Sequence, residues 1–251
     1  MPDTPTVIDR VAPARRPERR VVMHQSWRQL LFLHWEFPAP ALQARLPAGL
    51  ELDTFEGRAF VGLVPFTMLG VRPAGLPAFR PLSDFHETNV RTYVHFEGRD
   101  PGVWFFSLDA ANSLAVLTAR AWFHLPYHRA RMRLDRDPAT GTTRYQGRRL
   151  WPGPLPARYA LEAAPRGHAA TAAVGTLEHF LAERYLLYAA HRDRLYREQV
   201  HHRPYPLQPA DSLAIDENLL AAAGLTRPEH PPLAHYAVGV DVEVFPLEAI
   251  R

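Results

Sequence analysis

Four polar side chains alternate along one short segment of the chain: Glu87, Asn89, Arg91 and Tyr93, within Phe85-His86-Glu87-Thr88-Asn89-Val90-Arg91-Thr92-Tyr93-Val94. On a strand, residues two apart share a face, so these four project together while Val90 and Val94 turn to the other side. A glutamate and an arginine four apart on such a face can pair, and can orient a carboxylate or a carbonyl group. The pattern suits the lining of a pocket or barrel; a solvated outer face of an antiparallel strand fits it equally. Further candidates follow in sequence. Arg120 sits near the end of a helical stretch, ahead of Phe123-His124-Leu125-Pro126-Tyr127-His128. Arg184 lies near the apolar face of another, where its stem can pack and its head reach outward. His202 belongs to His201-His202-Arg203-Pro204-Tyr205. Asn89, Arg91, Tyr93, Arg120, Arg184 and His202 are thus the expected substrate-binding set, with Arg91 and Arg120 as anion clamps and the aromatics as walls.

The chain contains no lysine: all 29 basic residues are arginine. A Schiff base needs a side-chain primary amine, and a guanidinium, protonated at any working pH, does not replace it. Cysteine is absent too, which excludes disulfides, thiolate nucleophiles and Cys-ligated zinc. His124 and His128 are four apart, but Pro126 breaks the helix that would bring them together. No metal site and no cofactor is expected. Glycine-rich phosphate loops and the Gly-x-Ser-x-Gly elbow do not occur.

These residues must be held by a particular set of elements. Residues 1–20 are rich in Pro and Arg without hydrophobic period and read as a disordered leader; Arg15, Arg16, Arg19 and Arg20 form a solvated basic cluster within it. Residues 21–251 read as one domain. Met23–Phe37 forms a first strand and Pro38–Leu46 a short helix. Leu50–Phe55 and Arg58–Met68 read as a hairpin closed by Glu56-Gly57, and Val71–Pro81 as a loop. Strands are expected at Thr88–Phe96 and Val103–Leu108, then a helix over Ala110–Phe123 capped by Asp109. Tyr127–Asp135, Thr142–Leu150 and Tyr159–Ala164 continue as strands. Thr176–Ala190 carries the clearest helical spacing, through Leu177, Phe180, Leu181, Arg184, Tyr185 and Tyr188. Leu195–His202 is extended, Asn218–Ala223 a short helix, and Ala237–Phe245 the closing strand. The turns between strands are short, so the pairing is antiparallel. The fold class is α+β: one antiparallel sheet or barrel around a central pocket, with flanking helices.

The bulk properties fit this picture. Hydrophobic residues make up 47% of the 251 and charged residues 22%, as in an ordinary globular protein. The net charge is +3, with no basic face and no aromatic–basic motif for nucleic acid. No stretch approaches the roughly 18 apolar residues of a membrane span, and no apolar signal region opens the chain. The expected partner is a small molecule, not nucleic acid or membrane, and the expected compartment the cytoplasm. Oligomeric state is left open, a homo-oligomer included.

Several strings resemble the YqjF-like family of uncharacterised bacterial proteins. They are Glu-Thr-Asn-Val-Arg-Thr-Tyr-Val at 87–94, Pro-Gly-Val-Trp-Phe-Phe-Ser-Leu-Asp-Ala at 101–110, the later Leu-Glu-His-Phe-Leu-Ala-Glu-Arg-Tyr, and His-Arg-Pro-Tyr-Pro-Leu-Gln. The resemblance runs from about His24 to Phe245 and names no reaction. More distantly, the layout is similar to the acetoacetate decarboxylase-like fold. That resemblance implies that Tyr127 stands where the decarboxylases keep their Schiff-base lysine, His128 at its neighbour, and Glu87 at a pocket glutamate. The architecture is implied; the decarboxylase activity is not, because its nucleophile is missing. Glu87, Tyr127 and His128 are then the candidate catalytic residues, for proton transfer next to a carbonyl; alternatively Tyr127 only fills the room a lysine would leave, its hydroxyl bonded to Glu87 or Arg91. A tyrosine near arginines would have a lowered pKa and a glutamate in an apolar barrel a raised one. Two readings stand: an enzyme using acid–base catalysis without lysine on a small carboxylate- or carbonyl-bearing molecule, or a non-catalytic binding protein using the same pocket.

Overall fold

Short turns set the order of the strands. A computed structural model describes residues 8–250. β1 (Met23–Phe37) leads through the short helix α1 (Ala39–Gln43) to β2 (Leu50–Leu52) and β3 (Ala59–Pro73). The single turn α2 (Arg80–Ser83) precedes β4 (Phe85–Phe96) and β5 (Arg99–Ala110). Between β4 and β5, Glu97 and Gly98 both take left-handed φ, 51° and 70°, the geometry a tight two-residue hairpin turn demands. Helix α3 (Ser113–Trp122) then crosses to β6 (Tyr127–Arg136), and β7 (Thr143–Trp151) and β8 (Arg158–Pro165) complete a meander. After α4 (Leu177–Ala182) come β9 (Leu186–His191), β10 (Arg194–His201), β11 (Leu207–Glu217), α5 (Leu219–Ala222), β12 (Leu233–Val244) and β13 (Glu248–Ala249).

Among the described residues thirteen strands join in one sheet, which branches where β4, β5, β10 and β12 each pair with three others. One edge of β5 pairs with β4; the other is divided, Val103 and Trp104 going to β9 and Leu108–Ala110 to β6. β12 is divided in the same way. It pairs with β1 along one edge, while Val244 and Glu243 meet β10 and Ala237–His235 meet β11 on the other. The strands β12-β1-β3-β4-β5 therefore form a wall shared by two ring-like enclosures. β9 and β10 complete one; β6, β7, β8 and β11 complete the other. The β5 pairings with β6 and β9 are parallel, against the antiparallel expectation. Both follow long connections, which parallel order requires.

Because the shared wall is covered on both sides, its central strands, β3 as far as Met68 and β4, are buried on both faces. Leu30, Phe32, Val64 and Phe66 enter one core; Leu31, Leu33, Val61 and Leu63 enter the other. The solvated-face alternative for the Glu87–Tyr93 strand is thereby overturned. β5 and β9 approach closely at Gly102, where an added Cβ would lie 2.6 Å from the Leu186 carbonyl oxygen. Gly102→Ala is expected to cost about 1–3 kcal/mol, measured by denaturant unfolding, because the two backbones must part.

Several expectations need correction. The helix expected over Thr176–Ala190 stops at Ala182, and Leu186–His191 is a strand. Glu183 and Arg184 are drawn away from helical geometry by buried partners: Glu183 accepts from Tyr205 N at 2.8 Å, and Arg184 Nη1 donates to Asp53 at 2.7 Å. Asp109 does not cap α3. Asn112 does, accepting from Ala115 N at 3.0 Å, while Asp109 is buried and accepts from Arg149 Nε at 2.8 Å. The Glu56-Gly57 turn forms between Phe55 and Arg58, but β2 pairs with β4, not β3. The expected loop over Val71–Pro81 starts late and ends early, since β3 reaches Pro73 and α2 starts at Arg80. β11 has no counterpart among the strands expected from the sequence.

The leader is also corrected where it is described; residues 1–7 lie outside the described residues. From Asp9 onward the chain is pinned. Asp9 accepts from the Val11 and Ala12 backbone N–H groups, and Arg10 pairs with Asp53. Arg16 meets Glu243 at 2.6 Å, Arg19 pairs with Glu248, and Gln199 donates to the Pro13 carbonyl at 2.9 Å. Of the four clustered arginines, Arg16 and Arg19 find acids supplied by the last strands, while Arg15 and Arg20 are exposed as expected.

Candidate functional site

A cavity of about 450 Å³ lies between the shared wall and the β9–β10 side of the molecule, roofed by α3 and the segment around α2. Its walls are mostly apolar, with Leu30, Val64, Phe66, Met68, Phe85, Phe105 and Leu108 from β1, β3, β4 and β5. Alternation along β4 brings Glu87, Asn89 and Arg91 into this lining. β6, paired to β5 through Leu108↔Tyr127, adds Tyr127, and β10 adds Glu198.

Glu87 and Tyr127 meet. The Tyr127 hydroxyl donates to Glu87 Oε2 at 2.7 Å, with both residues buried. Burial pushes the Glu87 carboxyl up to about 8; the Tyr127 hydrogen bond works in the opposite direction, and the charge of Asp109 adds to the rise. Tyr127 itself is raised well above the usual phenol range, first by burial and then by the charges of Glu87 and Glu198. The lowered tyrosine pKa expected from nearby arginines is thus reversed: the groups facing this hydroxyl are carboxyls.

Glu87 and Arg91 do not pair. Arg91 makes one hydrogen bond among the described residues, from Nη2 to the Leu181 carbonyl at 3.1 Å, and its Nε has no partner. Asn89, between them on the strand, has a buried Oδ1 without a donor. Arg184 also borders the cavity and is anchored by Asp53 at 2.7 Å and by the Phe180 carbonyl at 2.8 Å. Tyr93 shares the face but stands behind the lining. Its hydroxyl donates to Leu181 O at 2.6 Å and contacts His34 Nε2 at 2.6 Å, and the Arg91 and Arg184 guanidiniums lie 5.7 and 4.8 Å from its ring centre.

Three other candidates do not border the cavity. His128 follows Tyr127 on β6 and so points to the opposite side, where Nδ1 lies 2.9 Å from Pro152 O. Burial and the Arg149 charge press it down to about 4. Arg120 is exposed at the end of α3 and donates to the Tyr127 backbone carbonyl at 2.8 Å, which steadies that strand without reaching the cavity. His202 is packed among the rings of Trp27, Tyr185 and Tyr205, with burial pressing it down to about 4.

Glu198 is the main residue that sequence reasoning missed. It is buried, Oε1 has no partner, and burial pushes it up to about 8. Its signal was the alternation Tyr196, Glu198, Val200 on an extended segment, which sets a carboxyl on the same face as a core valine.

With this geometry in place, known proteins supply the kinship. The model of DUF2071, described as an uncharacterized conserved protein, matches residues 24–241. The chain belongs to this family. It is 38% identical over 231 residues to the uncharacterized protein YqjF of Bacillus subtilis (strain 168), covering 92% of this chain and 93% of that one. Among solved structures it is similar to acetoacetate decarboxylase from Legionella pneumophila subsp. pneumophila str. Philadelphia 1. That likeness has a TM-score of 0.64 and 12% identity, over 95% of this chain and 92% of that one. The enduracididine biosynthesis enzyme MppR complexed with pyruvate is similar at a TM-score of 0.64 and 13% identity, over 92% and 90%. An acetoacetate decarboxylase-like enzyme from Sphingomonas wittichii RW1 follows at 0.63 and 14%, over 92% and 94%. These structures establish the acetoacetate decarboxylase-like fold, as a single sheet-dominated domain. No helix among the described residues is long and apolar enough to cross a membrane.

Proposed function

We propose that the cavity carries out lysine-independent acid–base chemistry on a small carbonyl- or carboxylate-bearing molecule, with Glu87 as the proton-transferring group and Tyr127 as its hydrogen-bond partner. The observation that carries this reading is the Tyr127–Glu87 hydrogen bond at 2.7 Å, buried at the wall of an otherwise apolar cavity. A carboxyl raised to about 8 is largely protonated at pH 7 and keeps a minor carboxylate fraction, so both forms are within reach near neutral pH, as a general acid–base needs. Its carboxylate form takes a proton from the carbon beside the carbonyl, the electron pair moves to the carbonyl oxygen, and a second carboxyl protonates that oxygen. Glu198, also near 8 and across from Tyr127, is suited to the second role. Enolisation is the elementary step; dehydration or hydrolysis would build on it. With no lysine in the chain, no Schiff base assists. A solved protein of like fold complexed with pyruvate supports a small carbonyl acid as the kind of molecule held.

The test is proton exchange. The protein is incubated in deuterated water with a panel of ketones and oxo acids, and loss of the protons beside the carbonyl is followed by NMR. The wild type should exchange at least one member of the panel. Tyr127→Phe should slow that exchange by roughly 10–100-fold while changing ligand affinity little, because the carboxyl loses its orienting donor. Binding without exchange in the wild type would favour the non-catalytic binding protein instead.

A further inference from the structure

We infer that the Arg91 corner of the cavity binds the carboxylate of an organic acid, and that the acid's apolar substituent fills the remaining space; this rests on the acid–base reading of the same cavity and adds the substrate class to it. Charge is the first argument. Around Tyr93 and Phe180 the fold gathers the guanidiniums of Arg10, Arg91 and Arg184, and Asp53 is the carboxylate that serves Arg10 and Arg184. Asp53 is used twice, by Arg10 on both oxygens and by Arg184 on Oδ2. Arg91 has no carboxylate partner among the described residues, although it is buried, with an exposure of 8%. The nearby Glu183 is committed elsewhere, to the Tyr185 hydroxyl at 2.5 Å and the Tyr205 N–H at 2.8 Å. A buried cation without a counter-ion is costly, and a bound anion removes that cost.

Hydrogen bonding is the second argument. One carbonyl oxygen, that of Leu181, accepts from Arg91, which leaves its other N–H groups without acceptors; Arg184 Nη2 is likewise unpartnered. A guanidinium that borders the cavity with spare donors, as Arg91 does, matches a two-oxygen acceptor, which a carboxylate is. Asn89 then lies between this corner and Glu87 on the same strand, so an acid anchored at Arg91 extends toward the proton-transferring group. Apolar lining is the third argument. Beyond the Arg91 corner, Phe66, Met68, Phe85, Phe105 and Leu108 dominate the walls of a space of about 450 Å³, far more than a two- or three-carbon acid fills.

Hexanoate, hexanamide and propanoate, titrated calorimetrically into the intact protein, test this inference. Hexanoate should bind roughly tenfold or more tightly than the isosteric hexanamide, and roughly tenfold or more tightly than propanoate. Arg91→Met should abolish the acid-over-amide preference; if that variant fails to fold, Arg91→Gln takes its place. Equal binding of hexanoate and hexanamide, an undiminished preference in the Arg91 variant, or no binding of hexanoate at millimolar concentration would overturn the inference. Glu87→Gln separates the two proposals. If it keeps the preference for hexanoate although no exchange is seen in any form of the protein, the anion site stands and the acid–base reading falls. Exchange by the wild type without any preference for the acid would be the reverse.

Discussion

Glu87→Gln should lower exchange at the carbon beside a carbonyl by about a thousandfold, the scale of losing a positioned general acid–base. The amide keeps the shape and can still accept from Tyr127, so loss of activity with an intact fold would locate the chemistry on this carboxyl. The same substitution should change how stability depends on pH. In the folded state Glu87 is raised to about 8, against an ordinary value near 4.5. The folded state therefore holds a proton that the unfolded chain has released, so stability falls as pH rises across that window. The contribution is complete below about 4.5 and is lost as pH rises through about 8. Unfolding free energies of wild type and Glu87→Gln, compared at pH 5 and pH 9, should diverge by a few kcal/mol, with the wild type losing ground at high pH. An unchanged difference would mean that the carboxyl ionises freely in the fold.

Asp53→Ala should be the most destabilising single change, at about 3–5 kcal/mol by denaturant unfolding. Asp53 is completely buried and holds Arg184, whose side chain is 2% exposed, as well as Arg10. Removing it leaves a guanidinium in the core with no counter-ion. By contrast, Glu243→Gln, which breaks the exposed pair with Arg16, should change stability little, since solvent and salt screen such pairs. A loss under about 1 kcal/mol for Asp53→Ala would show that water or another acid takes over its role, and would weaken the charge argument for an anion beside Arg91.

The parts of this fold legible in the sequence were those governed by local period. Alternation through Glu87, Asn89, Arg91 and Tyr93 placed all four on one side of β4, and Pro126 marked the start of β6, which set Tyr127 opposite His128. What the sequence hid was set by partners far away in the chain. The 176–190 segment has helical spacing, yet Leu186-Leu187-Tyr188-Ala189 also suits a strand buried on both faces, and pairing with β5 and β10 decided for the strand. Asp109 carries a capping residue's signature, but Arg149, forty positions on, claims it. Two of the leader's arginines, Arg16 and Arg19, meet acids more than two hundred positions away. Within the site, the sequence left the Tyr127 hydroxyl two partners, Glu87 or Arg91, and the fold took Glu87, whereas Glu198 needed the β10 register. The expectation that Glu87 would pair with Arg91 failed because each found a nearer partner, Tyr127 for the one and the Leu181 carbonyl for the other.

The most direct test of the central claim is the titration of Glu87 itself. Protein labelled with ¹³C at the glutamate carboxyls, compared as wild type and Glu87→Gln, identifies its resonance by difference. The expected midpoint lies near 8, with the carboxyl largely neutral at pH 7. A midpoint near the ordinary 4.5 would contradict the acid–base reading, because a carboxyl fully ionised near neutral pH holds no proton to exchange with a bound carbonyl compound.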